Sequence, residues 1–200
     1  LDDLDKYNKN DPLYLALKDL FYLDSSNNLI SESASKYKFE LKNHVIEEIE
    51  RLNPNELIRY LRYRYSYDIF PKKFEVRDYP PVLQIEPSSI CNYRCVFCFQ
   101  TDNRLTEKKN KHMGVMNLDL YKKIIDEIVG KVEGVTLASR GEPLVNKMLP
   151  EMLKYSAGKF LALKINTNAS LLNEKNIRSI LDANIQTLVF SADAAEKDLY

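Results

Sequence analysis

The stretch "PSSICNYRCVFCFQ" at residues 87–100 holds every cysteine of this 200-residue chain. Cys91, Cys95 and Cys98 are spaced C-x3-C-x2-C. Three thiols cannot pair off completely into disulfides, and they are one short of a four-cysteine metal site. Soft thiolates select zinc, copper(I) or iron–sulfur clusters. Zinc asks for a fourth protein ligand, and His112 is the candidate that would complete a Cys3His set. A cubic four-iron cluster has four corners, so three thiolates leave one iron without a protein ligand and open to a substrate or cosubstrate. Three unrelated buried thiols are the remaining reading. The clustering of all three within eight residues argues against it.

The elements that must position this loop change character along the chain. Residues 1–80 read as a helical N-terminal segment. "DPLYLALKDLFYL" opens with an Asp–Pro helix start at Asp11 and Pro12 and sets Leu13, Leu17 and Leu20 on one face. "SSNNLISES" at 25–33 is a polar break, and "FELKNHVIEEIERLN" spaces Leu41, Val45, Ile49 and Leu52 helically. Pro54 starts a further helix, and "DYPP" at 78–81 is a hinge. From residue 81 onward, strands at 82–86, 134–139, 159–168 and 185–193 alternate with three helices, the first of them (117–132) amphipathic. Asn117 is placed to cap the first of those helices, and Gly158 falls near the end of the second. This alternation predicts βαβ units and a parallel sheet. The expected fold class is α/β, with residues 81–200 forming the first part of a parallel (β/α) barrel that continues beyond the chain. The start without methionine and the stop at "SADAAEKDLY" read as cuts in a longer protein. The cysteine loop follows the first strand, at the end of the sheet where parallel α/β folds bind ligands.

C-x3-C-x2-C with an aromatic, Phe97, just before the third cysteine resembles the signature of the radical SAM superfamily. The resemblance implies that Cys91, Cys95 and Cys98 hold a 4Fe–4S cluster whose open iron chelates the amino and carboxylate groups of S-adenosylmethionine. The reduced cluster would cleave the sulfonium bond to a 5′-deoxyadenosyl radical that abstracts hydrogen from a substrate, with an external one-electron reductant as partner. Phe97 is expected to hold the loop against the adenine side of the ligand.

Later motifs extend the resemblance over roughly residues 82–193. "SRGEP" (139–143) is similar to the family's G-G-E-P element, which contacts the amino group. An ammonium wants carbonyl and carboxylate acceptors, so Gly141 would allow close backbone approach and Glu142 would supply negative charge. Arg140 stands where the first glycine would be and is free to reach another anion. "NTNA" (166–169) is similar to T-N-G, with Ala169 in place of glycine; Asn168 would orient the methionyl or ribose part, or form an Asx turn. "SAD" (191–193) resembles S-x-D-G. It points to Ser191 as a ribose or carboxylate contact, and to Asp193 as a ligand-facing, substrate-facing or helix-capping residue. "MGVM" (113–116) is expected to pack. These motifs resemble the branch with auxiliary-cluster (SPASM or twitch) domains, which implies a peptide, protein or carbohydrate-derived substrate. No residue is singled out for the proton or second electron.

Composition narrows the alternatives. The chain is 44% hydrophobic and 29% charged with zero formal net charge, so no long-range attraction to nucleic acid or anionic lipid is built into the total. "RYLRYRYSYD" (59–68) interleaves Arg59, Arg62 and Arg64 with Tyr60, Tyr63, Tyr65 and Tyr67, a pattern that suits an RNA platform or a helix covering a domain surface. "RLTEKKNKH" (104–112) reads as a solvated loop or a lid beside the cysteines. No apolar run approaches the roughly 18 residues of a transmembrane helix. Reduced thiols and the polar N-terminus predict a cytoplasmic setting.

Overall fold

A computed structural model describes residues 6–21 and 37–193. The chain divides into two compact units, Leu1–Pro81 and Val82–Tyr200. The polar break predicted at 25–33 lies outside the described residues.

In the first unit, α1 (Pro12–Leu20) starts as the sequence predicts: the Asp11 side chain accepts from the Leu13 N–H at 2.9 Å, and Pro12 occupies the first turn. Helix α2 (Asn43–Glu50) begins later than the helical spacing from Leu41 suggests. Phe39 is buried ahead of it, with its N–H donated to Asp19, and Leu41 is left exposed before the first turn. A short 3-10 turn at Pro54–Glu56 leads into α3 (Leu57–Lys73), which ends on Phe74 at φ 56°. Leu13, Ala16, Phe39, Leu61, Tyr65, Ile69 and Phe70 form the core. The arginine–tyrosine stretch serves this unit internally. Tyr60, Tyr63 and Tyr65 are buried, and Arg62 makes a two-pronged pair with Asp11. Arg64 is buried between the Tyr63 and Tyr67 rings and bonded to Asp68. Tyr67 is the exposed aromatic of this stretch, and the three buried tyrosines are held in the unit's own packing.

The second unit is built on four parallel strands in the order β1 (Val82–Ile85), β2 (Gly134–Leu137), β3 (Ala162–Thr167) and β4 (Thr187–Phe190). Helices α5 (Leu118–Ile128), α6 (Leu149–Ser156) and α7 (Glu174–Asp182) connect β1 to β2 through β4, and the four-residue α4 (Asn103–Thr106) lies between β1 and α5. Asn117 and Asn173 cap α5 and α7, accepting from the Leu120 and Asn176 N–H groups. Crossovers between neighbouring parallel strands are right-handed as a rule, which puts such connecting helices on one face. That face carries the register neighbours Ile85, Leu137 and Ile165, all buried, and the helices bury Tyr121, Ile125, Met152, Leu153 and Ile180. The other face carries the polar row Gln84, Thr136, Lys164 and Thr187. Alternation of buried and half-buried residues along β3 is the period-two signature of a strand with two unlike faces. No helix among the described residues is long and apolar enough to cross a membrane.

Candidate functional site

The loops at the C-terminal edge of β1, β2 and β3 are tied to one another by their own polar groups. The cysteine loop leaves β1 through Ser88 and Ser89, both buried. "MGVM" does more than pack. Met116 N–H donates to the Pro87 carbonyl at 2.9 Å, Ser89 and Gly114 exchange backbone and hydroxyl bonds, and Ser88 bridges Val115. Asn146, also buried, donates to the Pro87 and Met116 carbonyls at 2.8 and 2.9 Å and accepts from Met148 N–H. Gln100, 1% exposed, donates to the Ser89 and Arg140 carbonyls. Sequence reasoning singled out neither Asn146 nor Gln100, because an amide that bonds two distant carbonyls leaves no spacing signal.

Cys91, Cys95 and Cys98 are free and half-buried. The loop is turned by a bond from Cys98 N–H to the Cys95 carbonyl at 2.8 Å. Arg94 donates to the Cys91 and Tyr93 carbonyls and so closes the loop's first half. Val96 and Phe97 project outward at 91% and 72% exposure, so Phe97 does not pack on the loop that carries it.

Gly141 makes room for the chain's own backbone. A Cβ there would overlap the Ser88 carbonyl oxygen and lie 2.6 Å from the Ser89 carbonyl carbon and 2.7 Å from the Ile90 oxygen. The close neighbour is the chain's own backbone just before Cys91, and Glu142 N–H donates to the Ile90 carbonyl at 3.0 Å. Glu142 is buried. Its carboxylate accepts from Leu144 N–H at 3.1 Å, the Thr167 hydroxyl at 2.7 Å and Asn168 N–H at 2.8 Å. Three of a carboxylate's roughly four acceptor positions are thus taken by the chain itself.

Arg140 does reach another anion. Its backbone N–H and guanidinium bind Glu86, at the end of β1, at 2.8–3.2 Å. Burial pushes the Glu86 carboxyl up, but the hydrogen bonds and charge of Arg140 outweigh it and hold the group below its usual range. Asn168 forms the expected Asx turn with Ser170, and its Nδ2 also points to Asn92 and to Cys91. Ala169 adopts φ 64°, the left-handed conformation that favours glycine. Ser191 continues the β3–β4 pairing by donating its N–H to Thr167 at 2.8 Å. Ser191 and Asp193 are exposed, and among the described residues no side-chain hydrogen bond ties either to the cysteine loop. His112 is exposed and lines an apolar cavity of about 290 Å³ with Phe99, Leu105, Met113 and Arg140.

Among the described residues, no three His, Cys, Asp or Glu side chains are gathered closely enough to hold one metal ion. Three free thiols on one pinned loop are soft donors of the kind that iron–sulfur clusters take.

A family model described as the Radical SAM superfamily matches residues 85–200. The tungsten-containing aldehyde ferredoxin oxidoreductase cofactor-modifying protein of Pyrococcus furiosus is 28% identical over 113 residues, 56% of this chain and 30% of that protein. The Fe-coproporphyrin III synthase of Methanosarcina barkeri is 25% identical over 142 residues, 71% of this chain and 34% of that protein. The chain thus spans about a third of the length of these curated relatives. Among solved structures, Streptococcus suis SuiB bound to the precursor peptide SuiA matches with a TM-score of 0.52 and 20% identity, covering 87% of this chain and 35% of that one. That likeness supports the α/β fold, a parallel sheet forming part of a barrel.

Proposed function

Because the chain belongs to the radical SAM superfamily, whose members use a 4Fe–4S cluster and S-adenosylmethionine, we propose that Cys91, Cys95 and Cys98 are its cluster ligands. The single observation that carries this assignment is the set of three free thiols, with no fourth, on a loop pinned at the C-terminal edge of a parallel sheet. When bound, the reduced cluster supplies one electron to cleave S-adenosylmethionine to methionine and a 5′-deoxyadenosyl radical, which takes a hydrogen atom from the substrate.

The chain's own contribution is placement. Gly141 lets the β2 loop lie directly on the backbone ahead of Cys91. Glu142 fixes the start of the β3 loop through Thr167 and Asn168. S-adenosylmethionine is assigned to the face formed by these loops, with Phe97, Gly141, Glu142, Asn168, Ser191 and Asp193 at its margins. Because Glu142 is largely satisfied internally, backbone carbonyls of the 139–141 turn are the better acceptors for an ammonium. The proposed substrate is a peptide, protein or carbohydrate-derived molecule. The fold likeness to a peptide-bound enzyme supports the first two, and the cofactor-modifying relative extends the range to cofactors. An external one-electron reductant and a cytoplasmic setting complete the reading.

Anaerobic reconstitution with iron and sulfide tests it. The expected result is a brown protein with four irons per chain that releases 5′-deoxyadenosine from S-adenosylmethionine when reduced. Cys91→Ala, Cys95→Ala and Cys98→Ala should each abolish both. Stoichiometric zinc with no iron uptake would overturn the assignment, as would a cysteine variant that still makes 5′-deoxyadenosine at the normal rate.

A further inference from the structure

Cys91 differs from the other two thiols in what faces its sulfur. Tyr93 N–H lies 3.4 Å from Cys91 Sγ, and Asn168 Nδ2 lies 3.8 Å from it. Among the described residues no comparable donor faces Cys95 or Cys98.

The orientation of the Asn168 amide is fixed by chemistry. Its Oδ1 accepts from the backbone N–H of Ser170 at 3.1 Å, a group that can only donate, so Nδ2 must be the atom turned toward the cysteine loop. A closed ring of side chains enforces the same sense. Asn168 Nδ2 donates to Asn92 Oδ1 at 3.1 Å, and Asn92 Nδ2 donates to Ser170 Oγ at 2.8 Å. Ser170 Oγ then donates back to Asn168 Oδ1 at 2.7 Å. Each side chain gives one hydrogen and takes one. The second Nδ2 hydrogen of Asn168 is left for Cys91. The backbone N–H of Asn168 is anchored separately, on Glu142. Both amide hydrogens and both Oδ1 lone pairs of Asn168 are therefore engaged within the chain.

We propose that Asn168 is a positioning residue for Cys91, and that its N–H···S hydrogen bond raises the reduction potential of the cluster. This role rests on the cluster assignment above. Reduction adds negative charge that is shared onto the ligating sulfurs, and an N–H donor stabilises the more negative state more strongly. The Asn92–Ser170 ring keeps the donor aimed by tying the loop after β1 to the loop after β3.

The test is an EPR-monitored redox titration of the anaerobically reconstituted full chain, as wild type, Asn168→Ala and Ser170→Ala. At equal iron and sulfide content, Asn168→Ala should shift the midpoint to a more negative potential, and Ser170→Ala should shift it the same way by less. An Asn168→Ala midpoint equal to that of wild type would overturn the proposal while leaving the cluster assignment standing. Should Asn168→Ala retain no iron, wild-type protein carrying 15N only in its asparagine side-chain amides decides the matter. Coupling of that 15N to the reduced cluster supports the bond, and no coupling sinks it. A wild-type chain that takes up no cluster would overturn the assignment, and this inference with it.

Discussion

At the scale of single residues, two positions expose how backbone conformation and space are used around the cysteines. Ala169 holds φ 64°, where an L-residue with a Cβ pays roughly 1–2 kcal/mol. Ala169→Gly relieves that strain and loses part of the gain to a more flexible unfolded chain. The expected net is a stabilisation of about 0.5–1 kcal/mol, read by urea denaturation. Gly141 is the reverse case. Its φ is not in the left-handed region, yet a Cβ would run into the Ser88–Ile90 backbone. Gly141→Ala must push that backbone away, at a cost of about 1–3 kcal/mol by analogy with core overpacking. Because that backbone leads into Cys91, the variant should also lose most of its cluster while keeping its far-UV circular dichroism. Full iron content in Gly141→Ala would show that the contact does not govern the loop. Both positions lie in motifs the sequence flagged, but the reason for each was hidden. "GEP" suggested a glycine making room for a ligand, whereas the neighbour is another segment of the same chain, 51–53 residues earlier.

Between elements, buried amides and one ion pair carry the organisation. Asn146 satisfies the Pro87 and Met116 carbonyls and joins the β2–α6 connection to both ends of the cysteine segment. Asn146→Leu fills the volume but leaves two carbonyls without their donor, an expected loss of about 2–4 kcal/mol. A denaturation midpoint equal to wild type would refute that account. The Glu86–Arg140 pair links the end of β1 to the β2 loop. Glu86 is lowered in the folded state below its ordinary value of 4.5. Its contribution is thus fully present above that value and is lost as pH falls through the lower folded one. Arg140 is half exposed, so screening keeps the contribution below about 1 kcal/mol. Glu86→Gln should therefore show a flatter fall in stability below pH 4.5 than wild type, measured by thermal unfolding across the acid range. The strands and helices themselves were legible: Asn117 caps α5 as expected of Asn before an amphipathic run, and the structure adds Asn173 as the cap of α7. Helix α2 was misplaced at its start because Leu41 fits the helical spacing. Nothing local announces that Phe39 is pinned to Asp19, 20 residues away.

For the molecule as a whole, zero net charge leaves function to local geometry, and the geometry assigns the charged aromatic helix to stability. Arg62 grips Asp11 with both prongs, and Asp11 simultaneously caps α1, so one carboxylate joins the start of α1 to α3. Burial raises the Asp11 carboxyl, and Arg62 with the Leu13 N–H more than reverses this, which leaves it lowered. The sequence presented arginine and tyrosine in alternation but not which of them would face inward, because that depends on partners 20 and 51 residues away, His44 and Asp11. The two readings of this helix make opposite forecasts. If it serves the fold, Arg62→Ala removes a partly exposed bidentate pair and costs the protein about 1 kcal/mol. It should then leave retention on an RNA column at moderate salt indistinguishable from wild type. If it serves RNA, the same variant weakens retention and flattens its salt dependence while stability barely moves. The first outcome is expected. Tyr60, Tyr63 and Tyr65 are already buried, so a base would have to displace the unit's own packing before it could stack on them.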